Sequence, residues 1–265
     1  KHIYCGMDKV ILLFLFGLLL GQNDPVLLSI RDDAQKAGIP SEYLNNAFDY
    51  SGITVHDQIL ERFAKPYEKK SWSEYRKLFV TESRIKAGSS FYKLHYENLK
   101  NISENLKVDP FLILSIVGVE SNFGRHKGKF TVFNSLYTQI MKMPRRSKWA
   151  KKELVAYLEF CYKDNIPPHS IKGSYAGAFG YGQFIPTSFK NYAIDGNGDG
   201  IRQPYVWSDV FASVGNYLVK NGYPVSDPSE GSKVYKSVYA YNHADNYVKA
   251  VLELRDQLKK RITTD

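Results

Sequence analysis

The sequence predicts a mainly helical α+β fold on three observations. Residues 24 to 108 carry apolar positions at helical spacing, with no strand-like alternation. Residues 111 to 119, "FLILSIVGV", are apolar on nearly every face, which suits a helix at the centre of a core. Residues 173 to 189, "GSYAGAFGYGQFIPTSF", are dense in glycine and small residues, so a turn-rich segment must join the later helices. At 265 residues, 43% hydrophobic and 24% charged, the chain has ordinary globular composition and enough length for a sizeable core. No internal repeat at a solenoid period is present.

The elements follow in order. "VILLFLFGLLLG", residues 10 to 21, falls short of the roughly 20 residues that span a bilayer. With Lys9 before it, it has the length of a signal-peptide apolar region. Residues 1–22 are therefore expected to be a signal peptide or an N-terminal anchor that directs export; a buried helix is the alternative. Residues 23–107 are expected to form a helical lobe. Its first helix takes Asp24 as cap and Pro25 at the first helical position, and stops at Gly38 with Pro40 beyond. Ser41 is expected to cap a short helix, and residues 71 to 108 to form two more. Asp109 and Pro110 start the central helix, with Gly124 placed near its end. Residues 148 to 163 read as an amphipathic helix. Ser208 to Gly222 and the final residues read as two others.

The chain has two cysteines, Cys5 and Cys161. Loss of a leader would leave Cys161 alone, which removes both a disulfide and a zinc cluster from consideration. Cys161 sits among apolar residues and is expected to be inert core. The net charge of +9 favours an acidic polymer or an anionic membrane as partner. No RRM, zinc or helix-turn-helix signature supports nucleic acid.

Glu120 is the chemically distinctive residue. It closes an apolar helix, and apolar burial disfavours a carboxylate. The partial negative charge of a helix C-terminus acts in the same direction. A carboxyl held protonated near neutral pH is what a general acid on a glycosidic oxygen requires. A glutamate pointing to solvent at a helix end is the competing reading.

Three separated motifs weigh between them. "VESNFGRHKGKFTVFNSLYT", "GSYAGAFGYGQFIPTSFKNYAIDGNGDG" and "YAYNHADNYVKAV" together resemble the lysozyme-like lytic transglycosylases, most closely the membrane-bound lytic murein transglycosylase B family. The resemblance is strong over residues 108 to 222 and adequate in the C-terminal helix. It implies a lysozyme-like core over 108–245, with residues 246–265 as a helix packing on the N-terminal lobe. It implies that Glu120 is the single catalytic acid and that Ser174 polarises the substrate's N-acetyl group. Ser121, Asn122, Tyr175, Phe179, Gln183, Tyr241 and Asn242 are implied to contact the glycan, Tyr241 and Asn242 closing the site around Glu120. Phe179 stands where the family usually has Met. The stretch from Gly222 to Tyr241 is too short for the family's small β-rich lobe.

The implied chemistry is cleavage of the bond between N-acetylmuramic acid and N-acetylglucosamine, leaving a 1,6-anhydro end. One carboxyl suffices if the substrate supplies the nucleophile. A hydrolytic lysozyme or chitinase-like enzyme, and a non-catalytic wall-binding protein, are the rival readings. Peptidoglycan strands are the implied partner, with the periplasm or cell envelope as location, membrane association through the N-terminal segment, no nucleic acid, and a monomer.

"DGNGDGIRQPYVWSD", residues 195 to 209, opens like an EF-hand loop. Asp195, Asn197 and Asp199 alternate, and Gly200 takes the sixth position. Ile201 would offer its carbonyl. Val206 stands where a bidentate Glu is usual, and Asp209 comes three residues late. The resemblance implies a lengthened loop with a late Asp, holding structural calcium; no cofactor is expected for catalysis. An Asx-turn loop without metal is the alternative.

Overall fold

The computed structural model describes residues 25–226 and 231–264. The expected leader lies outside the described residues. Among the described residues, no helix is long and apolar enough to cross a membrane.

The described chain is mostly helix with one small sheet, in the mainly helical α+β class that the sequence predicts. Six helices come first: α1 Pro25–Lys36, α2 Ser41–Phe48, α3 Asp57–Ala64, α4 Trp72–Phe79, α5 Glu82–Leu94 and α6 Tyr96–Leu106. The stretch predicted as two helices is three. Thr81 breaks it once by accepting a hydrogen bond from Arg84 N, and His95 breaks it again with non-helical backbone. Ser41 is the first helical residue and not the cap. Pro40 precedes it in extended geometry, and Ser41 Oγ accepts from Gln35 instead.

The central helix α7, Pro110–Ser121, starts as expected: Asp109 Oδ1 accepts from Phe111 N at 2.8 Å, with Pro110 following. Leu112, Ile113, Leu114, Ile116 and Val117 are each 0% exposed. Burying each such side chain stabilises the fold by about 1.5–3 kcal/mol. After α7 come β1 Phe130–Thr131, α8 Val132–Lys142, α9 Pro144–Lys163 and β2 Lys172–Gly173. The two strands pair antiparallel, Phe130 opposite Gly173. No sequence pattern marks them, because two-residue strands show no alternation. Helix α9 begins at Pro144, before the predicted Lys148, since proline suits a first turn.

Helices α10 Pro186–Tyr192, α11 Trp207–Lys220, α12 Gly231–Tyr241 and α13 Asp245–Thr264 complete the chain. Ser208 lies inside α11 and not at its cap, which is Val206. Helix α13 lies along α7 and also touches α4 and α5. Its face of Tyr247, Val248, Ala250, Val251, Leu254 and Leu258 is buried. Cys161 is 0% exposed, and burial pushes its thiol up to about 12.

Candidate active site

Glu120 sits in the last turn of α7, and the backbone beyond it is unusual. Asn122, Phe123 and Gly124 all have positive φ, at 50°, 57° and 81°. Left-handed geometry costs a non-glycine residue roughly 1–2 kcal/mol, so this turn is held by other contacts. Ser121 Oγ donates to Val117 O and accepts from Gly124 N. Phe123 turns its ring into the core against Phe91. Gly118 makes room for that ring, since a Cβ there would lie 2.8 Å from Phe123 Cζ. Asn122 Oδ1 accepts from Arg84 Nε at 3.4 Å, while Arg84 Nη1 donates to the carbonyls of Leu78 and Phe79.

The Glu120 carboxylate accepts a 2.7 Å hydrogen bond from the Tyr247 hydroxyl, in the first turn of α13. Tyr241, at the end of α12, stands beside them, its ring 6.5 Å from that of Tyr247 and nearly parallel. The Tyr241 hydroxyl donates to Gly182 O at 2.6 Å. Burial, reinforced by the Glu120 charge, pushes both phenols well above their ordinary range. They therefore stay protonated and act as fixed donors. Asn242 follows Tyr241 in the bend before α13, half-buried, its carbonyl accepting from Ala244 N.

Ser174 follows β2 directly. Its backbone N donates to Ala178 O at 2.8 Å, and its Oγ accepts from Ala176 N and Ala178 N. Both side-chain bonds use lone pairs, which leaves the hydroxyl proton to be donated. Ser135 Oγ, on α8, donates to Ser174 O at 2.9 Å and fixes the turn from below. The Glu120 and Ser174 turns meet through the small sheet. A Cβ on Gly128 would lie 1.9 Å from Gly173 O, so the chain leaving Glu120 passes hard against the residue before Ser174.

Other expected contacts divide. Tyr175 is half-buried, with its ring edge-on to Phe63 at 4.9 Å. Gln183 has φ 49° and folds its amide onto Gly180 O at 2.8 Å. Gln183 follows Gly182, whose carbonyl accepts from Tyr241, while Tyr175 follows Ser174 and faces Phe63. Phe179 is different. It is 0% exposed and packs among Tyr157, Phe160 and Phe189. The expected sugar-face wall is thus a core residue, because the bridges Gly173–Phe179 and Phe179–Phe184 turn it inward. Ser121 is likewise 0% exposed and acts as a brace.

Several neighbours escaped the sequence reading. Tyr247 is the main one; its only sequence signal is a hydroxyl on an otherwise apolar helix face. Tyr181 and Trp207 stack at 4.3 Å beside Gly124, with Tyr205 edge-on to Tyr181 and Lys127 over both tyrosines. Arg146 lies 4.7 Å over Phe63 and 4.3 Å over Trp149, and donates to Gln139, which in turn donates to Tyr175 O. Most of these pairings join residues distant in sequence, such as Arg146 with Phe63 and Tyr181 with Trp207, so no local pattern reveals them.

The acidic loop draws Asp195, Asn197 and Asp199 into one turn. Asp195 accepts from the amides of Gly198, Asp199 and Gly200. Those bonds, led by that from Gly200, hold its carboxyl below the usual range. Asp199 accepts from Ile201 N, Asn197 Nδ2 and Gln203 Nε2. Asp209, 1% exposed at the start of α11, accepts from Gly196 N and Gln203 N and so closes the loop from inside. Among the described residues no three His, Cys, Asp or Glu side chains converge as a metal group. A cation here would need Asn197 and the Ile201 carbonyl as well. The donor set, all oxygen with anionic carboxylates, fits a hard cation.

Comparison with known proteins shows what the chain is similar to. The family described as "Transglycosylase SLT domain" matches residues 22–231. Membrane-bound lytic murein transglycosylase B of Escherichia coli (strain K12) is 36% identical over 157 residues, which is 59% of this chain and 44% of that protein. The chain thus spans less than half the length of that curated relative. The Escherichia coli lytic transglycosylase SLT35 in complex with calcium superposes with a TM-score of 0.82 at 24% identity, over 91% of this chain and 95% of that one. SltB3 from Pseudomonas aeruginosa, in complex with NAG-anhNAM-pentapeptide, gives 0.79 at 24% identity, over 88% and 78%. At these identities the two superpositions show the fold.

Proposed function

The chain belongs to the transglycosylase SLT domain family, and on that premise we propose that it is a peptidoglycan lytic transglycosylase with Glu120 as its acid and then its base. The observation that carries this reading is the Glu120 carboxylate held by the Tyr247 hydroxyl, one small sheet away from the Ser174 turn. A carboxyl oriented by a neutral donor is thus linked, through β1 and β2, to a turn whose serine hydroxyl has its proton left to donate. Such a pair fits substrate-assisted chemistry, in which the sugar's own acetamide is the nucleophile.

The steps balance without water. Glu120 gives its proton to the oxygen between N-acetylmuramic acid and N-acetylglucosamine, and the C1–oxygen bond breaks. The acetamide oxygen of the muramoyl residue closes on C1, its carbonyl polarised by the Ser174 O–H. Glu120, now a carboxylate, takes the proton of the muramoyl 6-hydroxyl. That oxygen forms the new bond to C1 and displaces the acetamide, giving a 1,6-anhydro end. Tyr247 and Tyr241 hold Glu120 and the Gly182 carbonyl in place throughout. Tyr181, Trp207 and Tyr205 would offer sugar stacking, and Asn122, Tyr175, Gln183 and Asn242 polar contacts to the glycan.

Calcium belongs to the same proposal. Asp195, Asn197, Asp199 and the Ile201 carbonyl would hold the ion, with Asp209 bracing the loop. When bound, the ion supplies positive charge that offsets the clustered carboxylates and stiffens the loop before α11. The relative's name also supports an envelope location with membrane attachment. The net charge of +9 suits a wall polymer bearing lactyl and peptide carboxylates.

Mass spectrometry of muropeptides released from purified peptidoglycan tests the reading. Products lighter than reducing muropeptides by one water are expected. Reducing products would make the protein a hydrolase.

A further inference from the structure

One concave site is lined by none of the residues assigned to the Glu120 site. It is a cavity of about 410 Å³ between the end of α2 and the loop after α9. Tyr43, Tyr50, Pro167, Pro168 and His169 supply its apolar surface, and Asn46 and Ser170 add polar groups. No residue lining it is an acid, a lysine or an arginine. Burial pushes the His169 imidazole down, so it too is neutral near pH 7. The volume lies within the roughly 300–1,000 Å³ of small-ligand sites, and an aromatic lining with a few polar groups is their usual make-up.

The cavity's main surface is a tyrosine ring held in place while facing solvent. Tyr50 is 50% exposed, yet its ring stacks on His169 with centroids 4.2 Å apart and planes 22° from parallel. His169 is fixed in turn by Nε2 on Ala47 O at 2.8 Å and by Phe133 at 4.4 Å. Its Nδ1 is buried and has no partner among the described residues. With Nε2 donating, that nitrogen is an acceptor. Gly52 makes the arrangement possible, because a Cβ there would lie 2.3 Å from Tyr50 Cε1. The Tyr43 hydroxyl, donating to Ile166 O, ties the opposite wall down.

The loop carrying Tyr50 is also tied to the active-site side of the fold. Asn134 on α8 donates to Gly52 O and Thr54 Oγ1, and accepts from Thr54 N. The next residue, Ser135, donates to Ser174 O. The Tyr50 loop and the Ser174 turn are thus fastened to consecutive residues of one helix.

We propose that this cavity is a second glycan-docking site, taking one uncharged N-acetylglucosamine unit of the strand with its pyranose face against Tyr50. The chemistry selects that class. A pyranose has an apolar C–H face for an aromatic ring and a hydroxyl and amide edge for Asn46 and Ser170. A phosphate-rich polymer or an acidic peptide would find no cation in the lining. The site rests on the reading of the protein as a wall-glycan enzyme. It would keep the chain on an insoluble strand between cuts.

The test uses the full chain in the Glu120→Gln background, which spares the glycan, and measures co-sedimentation with insoluble peptidoglycan. Tyr50→Ala should weaken binding at least fivefold, and Tyr50→Trp should restore it to within twofold. In the active chain, Tyr50→Ala should raise KM on insoluble peptidoglycan several-fold and leave turnover of a short soluble glycan unchanged. Binding of Tyr50→Ala within twofold of the parent would overturn the site, as would loss of turnover on the soluble glycan. Failure of the enzyme reading would look different: no product from any glycan, with Tyr50-dependent sedimentation intact.

Discussion

The Tyr247 hydroxyl donates to Glu120 Oε1 at 2.7 Å, joining residues 127 positions apart. The contact exists because α13 lies along α7, its apolar face matched to that of the central helix. One hydroxyl on that face reaches the carboxylate where α7 ends. Placement of the reactive group thus depends on packing between the middle and the end of the chain.

Tyr247→Phe removes that hydroxyl and keeps the ring. A hydrogen bond to an ionisable group contributes roughly 1.5–3 kcal/mol. Turnover should fall about 10- to 100-fold, while KM stays within a factor of about 2. Steady-state kinetics on peptidoglycan fragments, with a melting curve as control, checks this. A purely structural role would change melting and leave kcat intact.

Gly128→Ala forces a Cβ to within 1.9 Å of Gly173 O, a backbone atom that cannot rotate away. The pairing of β1 and β2 should separate, and with it the Glu120 and Ser174 turns. A loss of about 3 kcal/mol or more is expected in denaturant unfolding, with activity lost even where the fold survives.

Chelation tests the acidic loop. If Asp195, Asn197 and Asp199 hold calcium, saturating ion at about 100 times its Kd stabilises the fold by roughly 2.7 kcal/mol. At 2–4 °C per kcal/mol for a chain of this size, calcium should raise the melting temperature by about 5–10 °C. EDTA should reverse the rise, and Asp199→Asn should abolish it.

Cys161 gives a pH prediction. Burial lifts its thiol from 9.0 to about 12. A group whose folded value is raised contributes stability that is intact below pH 9 and is lost as the pH climbs towards 12. Unfolding free energy should decline over that window, and less steeply in Cys161→Ala. At pH 8 the native chain should leave Cys161 unalkylated, by peptide mass mapping, and unfolding should expose it.

The legible parts of this fold are those set by local chemistry. Asp109 and Pro110 announce the start of α7, and the unbroken apolar run through Val119 marks its burial. Glu120 stood out because a carboxylate there conflicts with that run. Tyr247, Arg84 and the stack of Tyr181 on Trp207 were hidden, since each matters through a partner far along the chain. Phe179 differs for another reason: the resemblance implies a groove wall, while two backbone bridges to near neighbours turn it into the core. The strands β1 and β2 are too short to leave a pattern, yet they join the Glu120 turn to Ser174.

The most direct test of the account is product release by Glu120→Gln beside the parent chain on the same purified peptidoglycan. The glutamine keeps the shape and an acceptor for Tyr247, and removes the proton. The account predicts unchanged melting, retained glycan binding, and no 1,6-anhydro muropeptides above background. Anhydro products at the parent's rate would show that another group moves the proton, and would contradict the central role assigned to Glu120.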